Sequence, residues 1–339
     1  VSELDEILDA AAERSARGER FALATVVAVR GSSYRRPGAR LLVPEDGSPI
    51  GLVSGGCLES EAARLAREAL ARDAPLLVTI DHSAEGDELW GMGLGCRGVI
   101  DLLAEPHALA AETLEALRAA RIEGRPTYLL TGLDGERRRL AAGEAAALGE
   151  RAAVAAMHGR PTLLGEQVLD PILPPLHLVV CGAGPDAGPL VAAGLRQGWR
   201  VDLVDPRRSF LVADRFPGAR LLDADPAAAA DASGAGEWTA VVVMSHDYLR
   251  DAAFVAGFLG RRVAYLGILG PHDRTQRLLR ELPSTPDQHD VAAMHAPAGL
   301  DIGADGAEQV ATAIVAEVLS VMHGRRGGPL RDVAGPIHG

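Results

Sequence analysis

The sequence predicts an α/β protein in two parts, a small mixed N-terminal α/β domain followed by a doubly wound parallel sheet. Two observations carry that reading. From Leu176 onward, apolar runs of strand length alternate regularly with segments of helical period, as expected when helices cover both faces of a parallel sheet. Before it, short apolar runs, glycine-rich turns and helical stretches are mixed without that regularity, and DPILPPLH, with Pro171, Pro174 and Pro175, forms a stiff entry into the second part. The expected boundaries are 1–130 for the first domain, 131–175 for a connector and 176–325 for the second domain.

Each element has its own signal. VSELDEILDAAAERSARGER has the pattern of an acidic amphipathic helix and lacks the basic start and apolar centre of a signal peptide. ALATVVAVR, ARLLV and PIGLVSGG read as strands, the last running into a turn. Leu58, Ala62, Leu65, Ala66 and Ala69 then recur at helical spacing, with Glu68 and Arg72 as an i,i+4 pair on the wet face. PLLVTI and GVIDLLAEP read as two more strands and AETLEALRAAR as a helix. The stretch from Gly132 to Gly149 is rich in Arg, Ala and Gly without a clean period, which suggests the connector. Beyond it come the strand LHLVVC, a helix over 186–197, the strands WRVDLVD and AVVVMS, a helix from Asp251, the strand VAYLGIL, a helix from Asp273 and a last helix over 307–322.

Composition narrows the class. The chain has 339 residues, 47% of them hydrophobic and 24% charged, which is enough for two cores and too apolar for wholesale disorder. A net charge of −12, with no long Lys/Arg block, speaks against nucleic acid as a partner. No apolar run approaches the ~18–20 residues that span a bilayer, so no membrane association is expected and a cytoplasmic location is the default. The 3 cysteines are widely spaced and form no C-x-x-C pair, and the 10 histidines show no H-E-x-x-H spacing. A G-x-S-x-G elbow and a P-loop are also absent.

The clearest site signal is VVCGAGPDAG, which fits G-x-G-x-x-A through Gly182, Gly184 and Ala187, directly after a strand and before a helix. Gly182 allows the tight turn, Gly184 lets backbone approach a phosphate and Ala187 permits close helix packing, the logic of a Rossmann-like turn. Asp205 stands where it could hold a ribose hydroxyl. Pro185 removes one N–H from the turn, and Arg207 with Arg208 follows the acid, so NAD, NADP, another nucleotide-like ligand and pure architecture all remain open. His246 and Asp247, in MSHDYLRD, fall at the carboxyl end of a strand, the edge where open α/β sheets bind ligands; a capping Asp beside a loop His is the plainer reading.

In the first part, Cys57 lies in VSGGCLES, after Gly55 and Gly56 and at the start of a helix, where the dipole and free N–H groups favour a thiolate; Glu59 and Glu61 oppose that effect. A small space-filling residue fits the same place. Cys96 sits in GMGLGCRG, a segment nearly stripped of side chains, next to Arg97. Cys181 ends a central strand and reads as core. RGSSYRRPGARLLV offers the Ser32 and Ser33 hydroxyls with Arg35, Arg36 and Arg40 as a cradle for an anion, or as a polar hairpin with a solvated basic face.

Taken together, GSSYRRPGARLLV, GLVSGGCLES, GMGLGCRGVIDLLAEP, LVVCGAGPDAG, VDLVDPRRSF, VVVMSHDYLRD, YLGILGPHDR and HAPAGLDIGADGAEQVATAIVAEVL resemble, in that order, the xanthine dehydrogenase accessory family of XdhC/CoxI type. The resemblance implies a two-domain protein, often dimeric, that binds and protects molybdenum cofactor (molybdopterin), supports its sulfuration and delivers it to a molybdenum hydroxylase of xanthine dehydrogenase type. It implies that hydroxylase and a cysteine desulfurase as partners, and a maturation factor rather than an enzyme with its own turnover. The family's cysteine motifs match at Cys57 and Cys96, which the resemblance makes candidates for holding the metal or its sulfur. Tyr34, Arg97 and Pro185 depart from the family pattern. The rival class is an NAD(P)-dependent oxidoreductase, against which stands the lack of a dedicated acid/base domain; a third is a scaffold whose sites have lapsed.

Overall fold

The computed structural model describes residues 3–31, 34–56, 58–81, 98–282 and 285–333. The chain forms two compact units, Val1–Pro174 with Leu330–Gly339, and Pro175–Pro329.

The first unit runs α1 (Glu3–Ala16), β1 (Phe21–Gly31), β2 (Arg40–Pro44), β3 (Ile50–Gly51), α2 (Glu59–Arg72), β4 (Leu76–Asp81), β5 (Gly98–Glu105) and α3 (His107–Glu123). Among the described residues its strands make a five-stranded antiparallel sheet in the order β3-β2-β1-β5-β4. Strand β1 shows why the apolar run ALATVVAVR lacks a polar face. Phe21 and Leu23 enter the core made with α1 and α3, while Ala22, Ala24 and Val26 enter the core made with α2; a strand buried on both faces needs no alternation.

The stretch expected as a connector is itself folded. It contains β6 (Thr127–Gly132), β7 (Arg137–Leu140), α4 (Ala142–Ala146), α5 (Glu150–His158), β8 (Thr162–Leu164) and β9 (Gln167–Ile172), with a four-stranded antiparallel sheet in the order β7-β6-β9-β8. Tyr128, Leu130 and Leu169 pack under Ala145, Ala152 and Ala156 of its helices. Small alanines let the helices lie close to this sheet, and the same alanines erase the apolar period from the sequence.

The second unit runs β10 (His177–Cys181), α6 (Ala187–Arg196), β11 (Arg200–Val204), β12 (Arg220–Leu222), α7 (Ala229–Ser233), β13 (Thr239–Val243), α8 (Tyr248–Phe258), β14 (Tyr265–Ile268), α9 (His272–Arg280), α10 (Gln288–Ala293), β15 (Met294–His295) and α11 (Ala307–Met322). Six parallel strands lie in the order β12-β11-β10-β13-β14-β15. Leu178 and Val180 face α6 and α11, whereas Val179 and Cys181 face α7 and α8. The strand order reverses between β11 and β13 around β10, which opens a crevice at the carboxyl ends of these strands.

The opposite, amino-terminal end of the sheet is sealed by charge. His177 Nε2 meets Asp202 Oδ2 at 2.8 Å, and Arg220 Nε and Nη2 reach the same carboxylate at 2.9 and 2.5 Å. Burial alone would raise the Asp202 pKa, but the bonds from His177 and Arg220 hold it below the usual carboxylate value. Burial pushes the His177 pKa down, against the pull of Asp202.

Candidate functional site

The crevice is built from the turn after β10. Gly182 has φ +113°, and a Cβ there would lie 2.6 Å from the Ser245 Cα, so only glycine lets the turn press against the segment that follows β13. The Gly182 N–H donates to the Val204 carbonyl at 2.8 Å and the Ala183 N–H donates to Asp205 Oδ2 at 2.8 Å, which ties the turn to the end of β11. Ala187, fully buried, is the third position of the fingerprint and packs into the core at the start of α6.

Asp205 is 1% exposed and its four acceptor positions are filled. Oδ1 accepts from the Arg207 N–H at 2.8 Å and Nε at 2.9 Å; Oδ2 accepts from Ala183 N and from Arg207 Nη2 at 2.7 Å. Burial works to raise its pKa, but the Arg207 side chain and the two N–H groups bring it below the ordinary carboxylate value. The Arg207 guanidinium also lies over the Phe210 ring, 3.9 Å from its centroid. Arg215 donates to the Gly184 carbonyl at 3.2 Å, and closes the β11 side of the turn.

On the other side stands His246, in the left-handed region at φ 59°, a conformation that costs a non-glycine residue energy and often marks a functional segment. Its Nε2 meets Asp186 Oδ2 at 2.6 Å, and the His side chain is 57% exposed. Asp186 Oδ1 is buried and has no hydrogen-bond partner among the described residues. A Cβ on Gly184 would sit 2.7 Å from that oxygen and 3.9 Å from the His246 ring, so Gly184 leaves room for the pair. Asp247 caps α8 by accepting from the Arg250 N–H at 2.9 Å. Beneath, buried Asp251 accepts from the Ser245 hydroxyl at 2.6 Å and pairs with Arg274 at 2.6 Å. Cys181 is free and fully buried, and burial, with the Asp251 and Asp205 charges, pushes its thiol pKa well up.

In the first unit, Ser54 organises the residues around position 57. Its hydroxyl accepts from the Gly56 and Leu58 N–H groups at 3.2 and 3.0 Å and donates to Glu59 at 2.7 Å, while its N–H donates to Glu59 at 2.9 Å. Burial works to raise the Glu59 pKa, but the Ser54 hydroxyl together with neighbouring backbone N–H groups brings it below the ordinary carboxylate value. A Cβ on Gly55 would touch the Tyr34 ring at 3.4 Å, which places Tyr34 beside Gly55. Arg40 donates to Asp170 at 2.5 Å and to the Gly38 carbonyl at 3.2 Å, each partner of the ion pair being 10% exposed. Its charge is therefore engaged inside the unit. Ser32, Ser33, Cys57 and Cys96 lie outside the described residues. Among the described residues no three His, Cys, Asp or Glu side chains are placed to hold a metal ion, and no helix is long and apolar enough to cross a membrane.

Sequence reasoning alone misses Asp186, Ser54 and Asp251. Asp186 sits inside the fingerprint itself, but its partner His246 is 60 residues away and carries no local sign of the pairing. The D-x-R-x-x-F spacing of Asp205, Arg207 and Phe210 is a local signal of the arginine mount.

Fold and site define a two-unit α/β protein whose second unit is a Rossmann domain with a glycine turn at the carboxyl end of its central strand. The XdhC Rossmann domain matches residues 178–318, and the XdhC and CoxI family model matches residues 15–81. A Bacillus subtilis (strain 168) protein, described as a probable xanthine dehydrogenase subunit, is 30% identical over 316 residues, 89% of this chain and 93% of that one. The chain belongs to the XdhC and CoxI family. PaoD of Escherichia coli (strain K12), a molybdenum cofactor insertion chaperone, is 27% identical over 325 residues, 93% of this chain and 87% of that one. A solved Bacillus halodurans structure, described as a xanthine dehydrogenase, aligns with a TM-score of 0.76 at 27% identity, covering 97% of this chain and 99% of that one.

Proposed function

We propose that this chain carries molybdenum cofactor as cargo, supports its sulfuration together with a cysteine desulfurase, and delivers it to a molybdenum hydroxylase of xanthine dehydrogenase type, acting as a cytoplasmic homodimer. The observation that carries the reading is the likeness, along 93% of the chain, to the insertion chaperone PaoD. The residues are compatible with it. A glycine turn with a Cβ-free approach at Gly184, flanked by Arg215 and His246, suits a phosphate-bearing pterin. In the first unit, Cys57 and Cys96 would supply the soft thiolates that a thiophilic metal or its sulfur requires. Gly55 and Gly56 would keep the approach to Cys57 open, and Arg40, tied to Asp170, would anchor the end of the segment that bears Ser32 and Ser33.

An NAD(P)-dependent oxidoreductase has less support, because the Asp205 carboxylate that would hold an NAD ribose already has its acceptor positions filled. The test is transfer: purified protein is loaded with molybdenum cofactor and mixed with cofactor-free hydroxylase, and hydroxylase activity is followed. Wild type should restore activity, whereas Cys57→Ser and Cys96→Ser should retain and transfer less cofactor with an unchanged circular dichroism spectrum. Normal retention and transfer by both single variants and the double variant would defeat the thiol assignment; no retention by wild type would defeat the carrier reading.

A further inference from the structure

The exit of β11 holds an arginine more firmly than an ion pair needs. Arg207 is fixed on three sides: its N–H and Nε bind Asp205 Oδ1, its Nη2 binds Asp205 Oδ2, and the Phe210 ring centroid lies 3.9 Å from the guanidinium carbon. Phe210 is itself packed against the apolar core of the second unit, so the stack has a rigid base. Yet the Arg207 side chain remains 29% exposed while its partner Asp205 is 1% exposed. A flexible side chain is thus ordered by the protein's own groups, with part of it left in solvent at the carboxyl end of a parallel sheet beside the Gly182–Gly184 turn.

We propose that Arg207 is a preformed stacking plate for a flat, fused-ring heterocycle bearing an anionic group, and that the same arrangement rejects the free ribose diol of an NAD-type dinucleotide. A planar delocalised cation stacks face to face on an aromatic ring, whereas an ammonium offers only a point charge and no plane to stack. Because Asp205 and Phe210 have already fixed its rotamer, ring binding loses little side-chain entropy. Rejection of the diol follows from Asp205, whose oxygens have no acceptor position left for a pair of hydroxyl donors. Arg208, exposed and with no side-chain hydrogen bond or ion pair among the described residues, stands next in the chain as a cation for the anionic group. The inference deepens the carrier reading, on which it rests, by naming the contact for the ring. A pterin and a purine carry the same chemistry, and the experiment separates them.

Calorimetry on the full chain with 6-carboxypterin, NADP+ and NAD+ as separate probes provides the test. The expected result is binding of 6-carboxypterin, no binding of NAD+, and at least a tenfold loss of ring affinity in Arg207→Lys, which keeps the charge beside Asp205 and so protects the fold. Binding of NADP+ in place of the pterin, with the same loss in Arg207→Lys, would support the plate and identify a purine as its ring. Equal affinity for NAD+ and NADP+, undiminished ring binding by Arg207→Lys, or no ring binding by a folded wild type would each overturn it. Ring binding without delivery to the hydroxylase would sink the carrier reading and spare the plate; delivery that is indifferent to Arg207→Lys, with ring binding unchanged, would do the reverse.

Discussion

The two ends of β11 use the same pair of groups for different purposes. Toward the amino-terminal end of the sheet Asp202, the middle residue of β11, is gripped by His177, the first residue of β10, and by Arg220, the first residue of β12, so one fully buried carboxylate fastens three strands. Just past its carboxyl end Asp205 is gripped by Arg207, only two residues on, and by one N–H of the glycine turn. The first arrangement joins distant parts of the chain and is closed. The second is local, and it leaves part of its arginine in solvent. Partners far apart in sequence make a carboxylate a fastener of the fold, whereas a partner two residues away makes it a mount for a side chain.

The contrast is testable from its strongest consequence downward. Asp202→Ala should cost about 3 kcal/mol of unfolding free energy, since it strands a buried imidazole and half of a guanidinium pair; urea melts of wild type and variant give the difference. A loss below that of the equivalent change at Asp205 would erase the distinction between the ends. The pH dependence should come from the same place. The folded His177 pKa is lowered, so the unfolded chain takes up that proton first and stability should fall as the pH drops below about 6.5. The Asp202 carboxyl is also held low, so the fall should continue through about pH 4 as the unfolded carboxyl protonates first. In His177→Gln the first leg should vanish and the second persist.

At the ligand end the effects on stability should be smaller. Phe210→Leu should cost about 1 kcal/mol, as expected for loss of a partly buried ring, while weakening ring probes, both read on one sample by melting and calorimetry. The smallest change belongs to the first unit: Glu59→Gln removes charge from the Ser54 bonds and should cost about 0.5–1 kcal/mol, with less loss at acid pH, where the wild-type carboxyl is itself protonated.

What is legible in the sequence follows the range of the interactions. VVC and VVVM announce parallel strands because a strand buried on both faces is apolar throughout. The glycine turn is readable because its requirements are local, down to the Cβ that Gly182 cannot have. Strand β7 is not, because RRRL looks like a solvated loop until Arg137 meets Glu105, Thr113 and the Leu109 carbonyl, residues at least 24 positions away. The position of Asp205 is equally plain, but its use is not: a ribose acceptor and an arginine mount have the same residue type at the same place, and only the filled lone pairs separate them.

The spacing of Asp202 and Asp205 has a consequence for how the sheet assembles. A strand whose apolar residues are valines and leucines, lying between the apolar residues of β10 and β12, could pair two residues up or down with each apolar side chain still on its own face. Moving β11 two residues toward the carboxyl end would preserve which face each side chain meets, yet it would draw Asp202 away from His177 to the apolar level of Cys181 and would take Asp205 out of reach of Ala183; the opposite shift would carry Asp205 down to the level of Val180. An unpaired carboxylate among those side chains costs several kcal/mol. The two acids thus act as stops at either end of a sliding track, and they select a single alignment of the central strands during folding.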